Sequence, residues 1–413
     1  MDDLSGMARD AWALLDVPTN TDKPHRFLTS PHSPVFMVFA CSPNENRYKD
    51  YEKQKGAMYY TMDNWTFDEI WAGFVHLSIL NHLPVTDLAT RATLRPAGKV
   101  DQKTLYDYFT KYGPSARTMY ELYDGHTTPE ELDLKINAAL ENINLVRLKR
   151  LVYEAKGYLH GSTTDKQSLN HSIILSSPNR NDRSMLHGEI ITHYVFQRLA
   201  EKLFQNDILA LIQTYKIFSN AVLTELGVTC GWIFEYYCHY MLSEHEGRQL
   251  ELIPLEAKKT IQREIKGKKV PFKICRPKPQ VSESDLTDFT ITKREPCFFG
   301  DEDIHTFSDA KYFRPYNKKN NRTYDGLMTK GDLAFAFKMT VSSKHDVAQS
   351  GIDGLGTRLG NRPLNYILLV PKDIKGDDEK YLDMRETIYD GRNRKFYMAL
   401  VDVRPTAKPM DGG

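Results

Sequence analysis

Cysteine is scarce in this chain, and long apolar runs are missing from it. Five cysteines are scattered over 413 residues, with no CxxC pair and no His/Cys spacing typical of a zinc site, so we expect reduced thiols. There is no run of about 18 consecutive apolar residues, and residues 1–16 lack the apolar core of a signal peptide. We therefore expect neither a membrane span nor an export signal in this chain.

The phosphate-binding motif of nucleoside triphosphatases is also missing. No GxxxxGK[ST] string occurs in the chain, and no hydrophobic strand ending in an acidic residue is predicted before Val35. ATP hydrolysis requires the backbone N–H groups that this loop presents to the phosphates, together with oxygen ligands for Mg²⁺. We therefore expect neither ATPase activity nor tight ATP binding.

What the sequence does contain is typical of a globular α/β protein. Hydrophobic residues make up 41% of the chain and charged residues 26%, and the length suffices for two or three domains with cores of their own. The net charge of +1 hides strong local asymmetry. Binding partners must therefore be inferred from local runs of charge.

Residues 1–83 are predicted to form an α/β unit. The apolar run at residues 35–40 is typical of a buried strand and is followed by turn residues. A second short strand is predicted at residues 57–60. Thr66 and Glu69 form a capping box that begins a helix, and this helix is predicted to end near residue 80.

Residues 84–215 are predicted to be mainly helical. The string at residues 112–114 ends one helix, and residues 128–131 supply the N-cap, proline and acid that begin the next. Apolar residues at helical spacing extend that second helix to Val146. A further helical stretch is predicted over residues 188–215.

Residues 216–405 are predicted to form a mixed α/β domain, followed by a tail at residues 406–413. A helix with aromatic residues near Trp232 begins the domain, and another helix is predicted between strands at residues 345–355. Short runs rich in β-branched and aromatic residues predict the strands. They lie at residues 250–255, 270–274, 323–328, 333–341, 364–370 and 395–401.

Two acidic residues of this domain suit metal-dependent phosphodiester cleavage. Such cleavage needs hard oxygen ligands around Mg²⁺ or Mn²⁺, which activates water and stabilises charge on the phosphate. Glu235 lies on the predicted helix, and Asp325 lies on a strand that can form a hairpin with the strand of Lys338. The sequence therefore predicts Glu235 and Asp325 as metal ligands.

The order of these residues resembles that of the PD-(D/E)XK nucleases, in which a helix glutamate and a strand aspartate precede an acid or glutamine two residues before a lysine. It resembles in particular the C-terminal domain of Crinkler and retrotransposon-hot-spot effectors, with its Phe-Glu helix, aspartate strand and Gln-x-Thr strand followed by histidine. The resemblance implies a restriction-endonuclease-like fold for residues 216–405. It also implies site roles for Glu235, Asp325, Lys338, Thr340 and His345.

The resemblance extends into the first half of the chain. Residues 42–49 and 62–69 resemble the part of the family's NTPase domain downstream of its phosphate loop, and residues 112–117 resemble its arginine motif. This implies that residues 1–83 are a degenerate or truncated, P-loop-NTPase-like region. It further implies an effector that acts in a host nucleus on DNA, with a host nuclear protein as another partner.

The chain departs from the family at Lys338, where the family has glutamine. An ammonium has three donors and no acceptor, so it cannot ligate a metal. Three roles are open for Lys338: binding a phosphate, replacing the catalytic lysine, or occupying the cation's position and silencing the site. Thr340 stands where the superfamily lysine would be, or is an ordinary strand residue. His345 contacts a phosphate or merely begins a helix.

Two basic runs precede or flank Asp325. Residues 257–280 contain nine Lys/Arg and one acid, and residues 311–322 contain no acid but include Tyr312, Phe313 and Tyr316. Such runs are usually solvated loops, yet they also suit a polyanion, with the aromatic rings as stacking surfaces. The predicted DNA-binding residues are Lys258, Lys259, Arg263, Lys266, Lys268, Lys269, Lys318, Lys319 and Arg322.

Three functions fit these features. The first is an effector module that binds DNA and cleaves it with Mg²⁺ or Mn²⁺. The second is a catalytically inactive, nuclease-like scaffold that binds nucleic acid or a partner protein. The third is a decayed mobile-element protein without selected activity. The two basic runs favour nucleic acid as the ligand.

Overall fold

The structure, a computed structural model, contains helices and strands in mixed order along the chain, so the predicted α/β class is confirmed. The chain divides into an N-terminal unit, residues 1–198, and a C-terminal unit, residues 199–413. The structure describes residues 12–16, 36–40, 62–80, 101–157, 172–178, 183, 186–204, 207–221, 228–265, 268–278, 280–283, 285–299, 308–315, 323–341, 344–347, 351–352, 354–355, 359, 362–372, 381–385 and 394–403.

The N-terminal unit begins with two strands, continues with five helices and then adds a second pair of strands. These elements are β1 (Trp12–Asp16), β2 (Phe36–Ala40), α1 (Phe67–Leu80), α2 (Gln102–Tyr112), α3 (Ala116–Tyr123), α4 (Pro129–Glu141), α5 (Leu145–Gly157), β3 (Ile174–Pro178) and β4 (Leu186–Ile190). Helix α6 (His193–Leu203) includes the boundary between the two units.

An acid-ended strand does precede Val35, so the expectation that none would was wrong. Strand β1 ends at Asp16 and pairs in parallel with β2. Its sequence, WALLD, contains one alanine and two leucines, which favour helices and give no β-branched signal. A parallel pair suits the α/β unit predicted for this region. The strand predicted at residues 57–60 lies outside the described residues.

Helix beginnings were predicted well because the capping residues are local. The Thr66 N–H donates to Glu69 Oε2 at 2.8 Å, and the Glu69 N–H donates to Thr66 Oγ1 at 3.2 Å. The same reciprocal box joins Thr128 and Glu131 at the start of α4. Both predicted capping boxes are therefore confirmed.

The predicted helix lengths were wrong in two places. Helix α4 ends at Glu141, and α5 begins at Leu145 because the Asn144 side chain accepts the Arg147 N–H at 2.9 Å. The stretch predicted as helical at residues 188–215 contains β4, α6 and the start of the next helix. There the Asp207 side chain accepts the Ala210 N–H at 3.0 Å and begins a new helix.

After the end of α6, the elements described for the C-terminal unit are two helices and then twelve strands, with helical residues also at 351–352 and 354–355. They are α7 (Ile208–Ala221), α8 (Val228–Glu244), β5 (Gln249–Glu251), β6 (Ile253–Ile265), β7 (Lys268–Pro277), β8 (Asp288–Thr290), β9 (Glu295–Phe299), β10 (Lys311–Pro315), β11 (Gly326–Lys330), β12 (Leu333–Met339), β13 (Lys344–Val347), β14 (Leu364–Pro371), β15 (Tyr381–Arg385) and β16 (Arg394–Val401).

Ten of these strands form one sheet in the order β13-β15-β7-β6-β16-β14-β12-β11-β10-β9, while β5 and β8 pair separately. Strands β11 and β12 form an antiparallel hairpin, and β12, β14 and β16 run parallel. The strands predicted at residues 333–341, 364–370 and 395–401 are confirmed as β12, β14 and β16. Parallel strands need crossover connections, which explains the chain length between them.

The core of the C-terminal unit lies on both faces of these central strands. On one face Ala336, Leu368 and Met398, from three successive strands, pack with Ile352 and Leu355. On the other face the ring of Phe289 lies 4.9 Å from that of Phe335 and 5.7 Å from that of Phe337, measured between centroids. Burial on both faces produces the nearly continuous apolar sequences of β12 and β14.

The strand predicted at residues 270–274 is confirmed within β7. The basic run at residues 257–280 is mostly strand, since β6 and β7 pair from Leu255↔Pro277 to Ile265↔Lys268, so the reading of the whole run as a loop was wrong. The helix predicted at residues 345–355 begins as β13, which pairs with β15. Helical residues are described only at 351–352 and 354–355. Such long-range partners leave no mark in the adjacent sequence.

We predict that Gly326→Ala will destabilise the protein by about 1–3 kcal/mol, the usual result of overpacking a core. A Cβ on Gly326 would lie 2.1 Å from the Tyr312 hydroxyl and 2.7 Å from its ring, and Tyr312 is fully buried. Urea unfolding measures the effect. Gly354→Ala is the control, because a Cβ there meets nothing within 4 Å. Equal stability of the two variants would contradict this packing.

Candidate functional site

Asp325 and Lys338 face each other at one end of the β11–β12 hairpin. Gly326 pairs with Phe337, so Asp325 and Lys338 are opposite each other one position further along the two strands. The Lys338 ammonium donates to Asp325 Oδ1 at 2.7 Å, and the Met339 N–H donates to Asp325 Oδ2 at 2.8 Å. The Lys338 side chain is 12% exposed and the Asp325 side chain is 9% exposed. Both carboxylate oxygens therefore have donors in a nearly dry environment.

The pKa of Asp325 reflects opposing influences. Burial raises it most, and the negative charge of Glu235 raises it further, whereas the charge and hydrogen bond of Lys338 and the Met339 N–H lower it. The balance raises the pKa of Asp325 to about 6. At neutral pH the carboxylate is therefore mostly ionised and forms an ion pair with Lys338. The influence of Glu235 also places that carboxylate in the electrostatic surroundings of Asp325.

Glu235 is linked through helix α8 to a buried histidine. The Glu235 Oε1 and His239 Nε2 atoms, one helical turn apart, are separated by 3.6 Å, which is longer than a hydrogen bond but close enough for attraction. His239 Nδ1 lies 2.7 Å from the Tyr312 hydroxyl. The Glu235 side chain is 37% exposed. The three side chains thus connect the core of the sheet to a carboxylate at the surface.

The two buried members of this group, His239 and Tyr312, are both uncharged. Burial, and next the positive charge of Arg314, lower the pKa of His239 well below its usual value, so its ring is neutral. Burial raises the pKa of Tyr312, so its hydroxyl keeps its proton, and it shares a 2.7 Å hydrogen bond with His239 Nδ1. In the tautomer that carries its proton on Nε2, that proton faces the Glu235 carboxylate and Nδ1 accepts from the Tyr312 hydroxyl.

The other predicted site residues are placed less completely. Thr340 follows β12, and its N–H donates to the Leu369 carbonyl at 3.1 Å, so its backbone is held beside the site. His345 lies on β13, where only its backbone is described. Its predicted role remains a prediction, although the alternative that it begins a helix is wrong.

The predicted DNA-binding residues lie mostly in the β6–β7 hairpin. Lys258, Lys259 and Arg263 are on β6, and Lys268 and Lys269 are on β7, with only their backbones described. Outside the described residues lie Lys266, Lys318, Lys319, Arg322 and also Tyr316.

Two of the aromatic residues predicted as stacking surfaces cannot serve that purpose. Tyr312 is 0% exposed and Phe313 is 7% exposed, so no base can reach either ring. The prediction was wrong because β10 is an interior strand of the sheet, between β9 and β11, and this position depends on pairing that the local sequence does not reveal.

The residues around Asp325 do not fit a divalent cation. In the described part of the chain, no group of three or more His, Cys, Asp or Glu side chains is arranged to hold a metal ion. Both oxygens of Asp325 already accept hydrogen bonds. The ammonium of Lys338 donates to one of these oxygens and has no lone pair with which to ligate a metal.

Sequence reasoning missed the partners of Glu235. The spacing of Glu235 and His239, four residues apart on a predicted helix, was the available signal because such residues are neighbours on a helix surface. Nothing in the local sequence marked Tyr312 as the partner of His239, since Tyr312 lies on a strand 73 positions after His239 in the chain.

No protein-family model matches the chain, and neither a curated protein nor a solved structure does so. None of the described helices is long and apolar enough to cross a membrane. Inferences about function therefore rest on the residues themselves and their geometry.

We predict that Asp325 makes the stability of the protein depend on pH. Its folded-state pKa of about 6 exceeds its usual value of 3.8, so the folded state binds the proton more tightly than the unfolded state does. This contribution to stability is complete below about pH 4 and is lost as the pH rises through 6. A pKa difference of this size corresponds to about 3 kcal/mol.

The measurement is urea unfolding of the wild type and of Asp325→Asn between pH 4 and pH 7. The free energy of unfolding of the wild type should fall relative to that of the variant by about 2 kcal/mol over this range, because the unfolded carboxyl is already partly ionised at pH 4. The subtraction removes the titration of groups that do not interact with Asp325. A difference that stays constant with pH would contradict the raised pKa.

Proposed function

We propose that the C-terminal unit is a nucleic-acid-binding domain of restriction-endonuclease-like type, in which Lys338 occupies the metal's position and keeps the cleavage site inactive. The ion pair between Lys338 Nζ and Asp325 Oδ1, 2.7 Å long and nearly buried, is the observation that carries this proposal. It favours the third of the roles open for Lys338. A nuclease-like scaffold fits this geometry better than an active Mg²⁺-dependent nuclease does.

The arrangement of elements supports the nuclease-like part of the proposal. Helix α8 carries Glu235, and the β11–β12 hairpin carries Asp325 and Lys338 at one end. Strand β12 pairs in parallel with β14. This is the order that the resemblance to PD-(D/E)XK nucleases implies for residues that hold a metal, with Lys338 replacing the ligand on the second strand of the hairpin.

Charge explains how a lysine would silence such a site. A positive charge about 4 Å from a divalent cation opposes its binding by several kcal/mol even at an effective dielectric near 20. Two carboxylates without a cation would repel a phosphodiester as well as each other. Lys338 neutralises one of them, which stabilises the fold but supplies neither a metal-bound water nor an open ligand position.

Nucleic-acid binding would then depend on surfaces outside the carboxylate site. The β6–β7 hairpin concentrates lysines and arginines on two paired strands. Extended basic surfaces bind phosphates without reading sequence. The resemblance to Crinkler and retrotransposon-hot-spot effectors extends the proposal to action on DNA in a host nucleus, with a host nuclear protein as the alternative partner.

An active nuclease is the second candidate, and one observation favours it. The Glu235 carboxylate is 37% exposed and its charge raises the pKa of Asp325, so the two carboxylates of a cleavage site are present. In that case Lys338 would leave Asp325 when DNA binds and would stabilise charge on the phosphate. The substitutions below separate the two candidates.

We predict that Lys338→Gln will bind Mn²⁺ at least about tenfold more tightly than the wild type, because it removes the opposing charge and adds an oxygen ligand. Electron paramagnetic resonance of free Mn²⁺ measures the binding. Metal-dependent nicking of plasmid DNA should rise in the same variant. An active nuclease that uses Lys338 on the phosphate would instead lose nicking activity.

Two further variants serve as controls for this experiment. Lys338→Met removes the charge without adding an oxygen, so it should gain less Mn²⁺ affinity than Lys338→Gln does. The double variant Lys338→Gln, Asp325→Ala should bind no Mn²⁺. Circular dichroism must show that each is folded, because an unpaired buried charge costs about 3–5 kcal/mol. Nicking that persists without Asp325 would contradict the site assignment.

We predict that replacing Lys266, Lys268 and Lys269 with glutamine will weaken DNA binding and flatten its dependence on salt. Each phosphate contact to duplex DNA contributes about 0.9 to the slope of log affinity against log salt, so three lost contacts should reduce that slope by about 2 to 3. Fluorescence anisotropy with a labelled duplex at several salt concentrations measures this change.

The matched control replaces Lys103, Lys135 and Lys330 with glutamine, since these are exposed lysines outside both basic runs. It removes the same total charge and should leave the slope within about 1 of the wild-type value. Equal slopes for the two triple variants would mean that the β6–β7 hairpin is only a solvated surface.

A further inference from the structure

Phe298 and Arg314 form a pair at the edge of the large sheet. Strand β9 is the last strand of the sheet, and Phe298 on it is the register partner of Arg314 on β10. The guanidinium carbon of Arg314 lies 5.1 Å from the centroid of the Phe298 ring. The phenylalanine remains 56% exposed. An aromatic ring with a guanidinium over it is therefore accessible at the surface.

The pair lies at the same end of the sheet as the carboxylate site. Phe313 pairs with Leu327 in antiparallel register, so Arg314 is opposite Gly326 and one position from Asp325. The charge of Arg314 also acts on the buried ring of His239, where it lowers the pKa after the larger effect of burial. Strand β11 separates Arg314 on β10 from Lys338 on β12, so the pair and the carboxylate site share one end of the sheet but are separate places on it.

Simple cross-strand packing does not account for the exposure of Phe298. Cross-strand pairs stabilise a sheet by burying their side chains against each other, whereas more than half of this ring faces water. Among the described residues of the C-terminal unit, the other large hydrophobic side chains that are exposed are aliphatic, and Phe298 is aromatic. It belongs to the edge strand β9, whose neighbour β10 carries Lys311 and Arg314.

We propose that Phe298 and Arg314 are a stacking platform for single-stranded nucleic acid. An unpaired base presents a flat face that the Phe298 ring can cover, and Arg314 can stack beside it or pair with the neighbouring phosphate. Duplex DNA keeps its bases stacked inside and gains only the charge of Arg314. The inference deepens the proposed nucleic-acid-binding function and depends on it, but it does not require cleavage.

The test compares a labelled single-stranded oligonucleotide with the matching duplex by fluorescence anisotropy, in EDTA. Phe298→Leu keeps an apolar side chain but removes the aromatic face, so single-strand affinity should fall about tenfold, equivalent to about 1.4 kcal/mol. Duplex affinity should change less than about twofold. The salt slope should stay the same, because no charge is removed.

Three further variants define the role of each residue. Phe298→Tyr keeps the aromatic face and should bind the single strand as the wild type does. Arg314→Lys keeps the charge but loses the planar group, so it should weaken single-strand binding without changing the salt slope. Trp65→Leu is the matched control, because Trp65 is 52% exposed in the N-terminal unit, and its affinities should equal those of the wild type.

The outcomes separate this inference from the proposed function. If the wild type binds neither oligonucleotide, both fail. If it binds nucleic acid but Phe298→Leu and Trp65→Leu behave alike, only the stacking platform fails. If Phe298→Leu changes sedimentation and not affinity, the edge is a contact between copies of this chain and the inference is overturned.

Discussion

The ion pair between Asp325 and Lys338 constrains everything at this end of the sheet. Removing both charges from water is costly, and the cost is offset by a 2.7 Å contact and by the Met339 N–H on the second oxygen. Loss of either partner alone would leave a buried charge without compensation. Since an apolar pair of similar volume would serve stability as well or better, stability alone does not explain why charged residues occupy these positions.

The neighbouring side chains are fitted around that pair. Gly326, next to Asp325, leaves room for the Tyr312 ring, and the Tyr312 hydroxyl in turn forms a hydrogen bond with His239. Glu235, one helical turn away, lies 3.6 Å from the His239 ring. Two buried side chains therefore link the carboxylate at the surface to a glycine on a buried strand. This link makes the site sensitive to substitutions that never touch a ligand.

Features that depend on nearby residues could be predicted from the sequence, whereas features that depend on distant strands could not. The capping boxes at Thr66 and Thr128 and the hairpin that pairs Asp325 with Lys338 are encoded within a few residues of each other. The strands of the basic hairpin, the strand β13 and the burial of Tyr312 depend on partners far along the chain. Local propensity carries no information about such partners, so a strand was predicted for only part of the basic hairpin, at residues 270–274, and a helix and an exposed ring were predicted in place of β13 and the buried Tyr312.

Burial also decides which positive charges can act on a ligand. Lys338 and Arg314 both lie at the same end of the sheet. Lys338 is 12% exposed and forms an ion pair with Asp325. Arg314 instead lies over the ring of Phe298, which is exposed to water. A count of basic residues treats the two alike. In our proposals their surroundings give them opposite roles, with the paired, buried ammonium excluding a cation from the interior and the partly exposed guanidinium attracting phosphate at the edge. The proposed inactive cleavage site and the proposed single-strand platform therefore follow from one electrostatic arrangement.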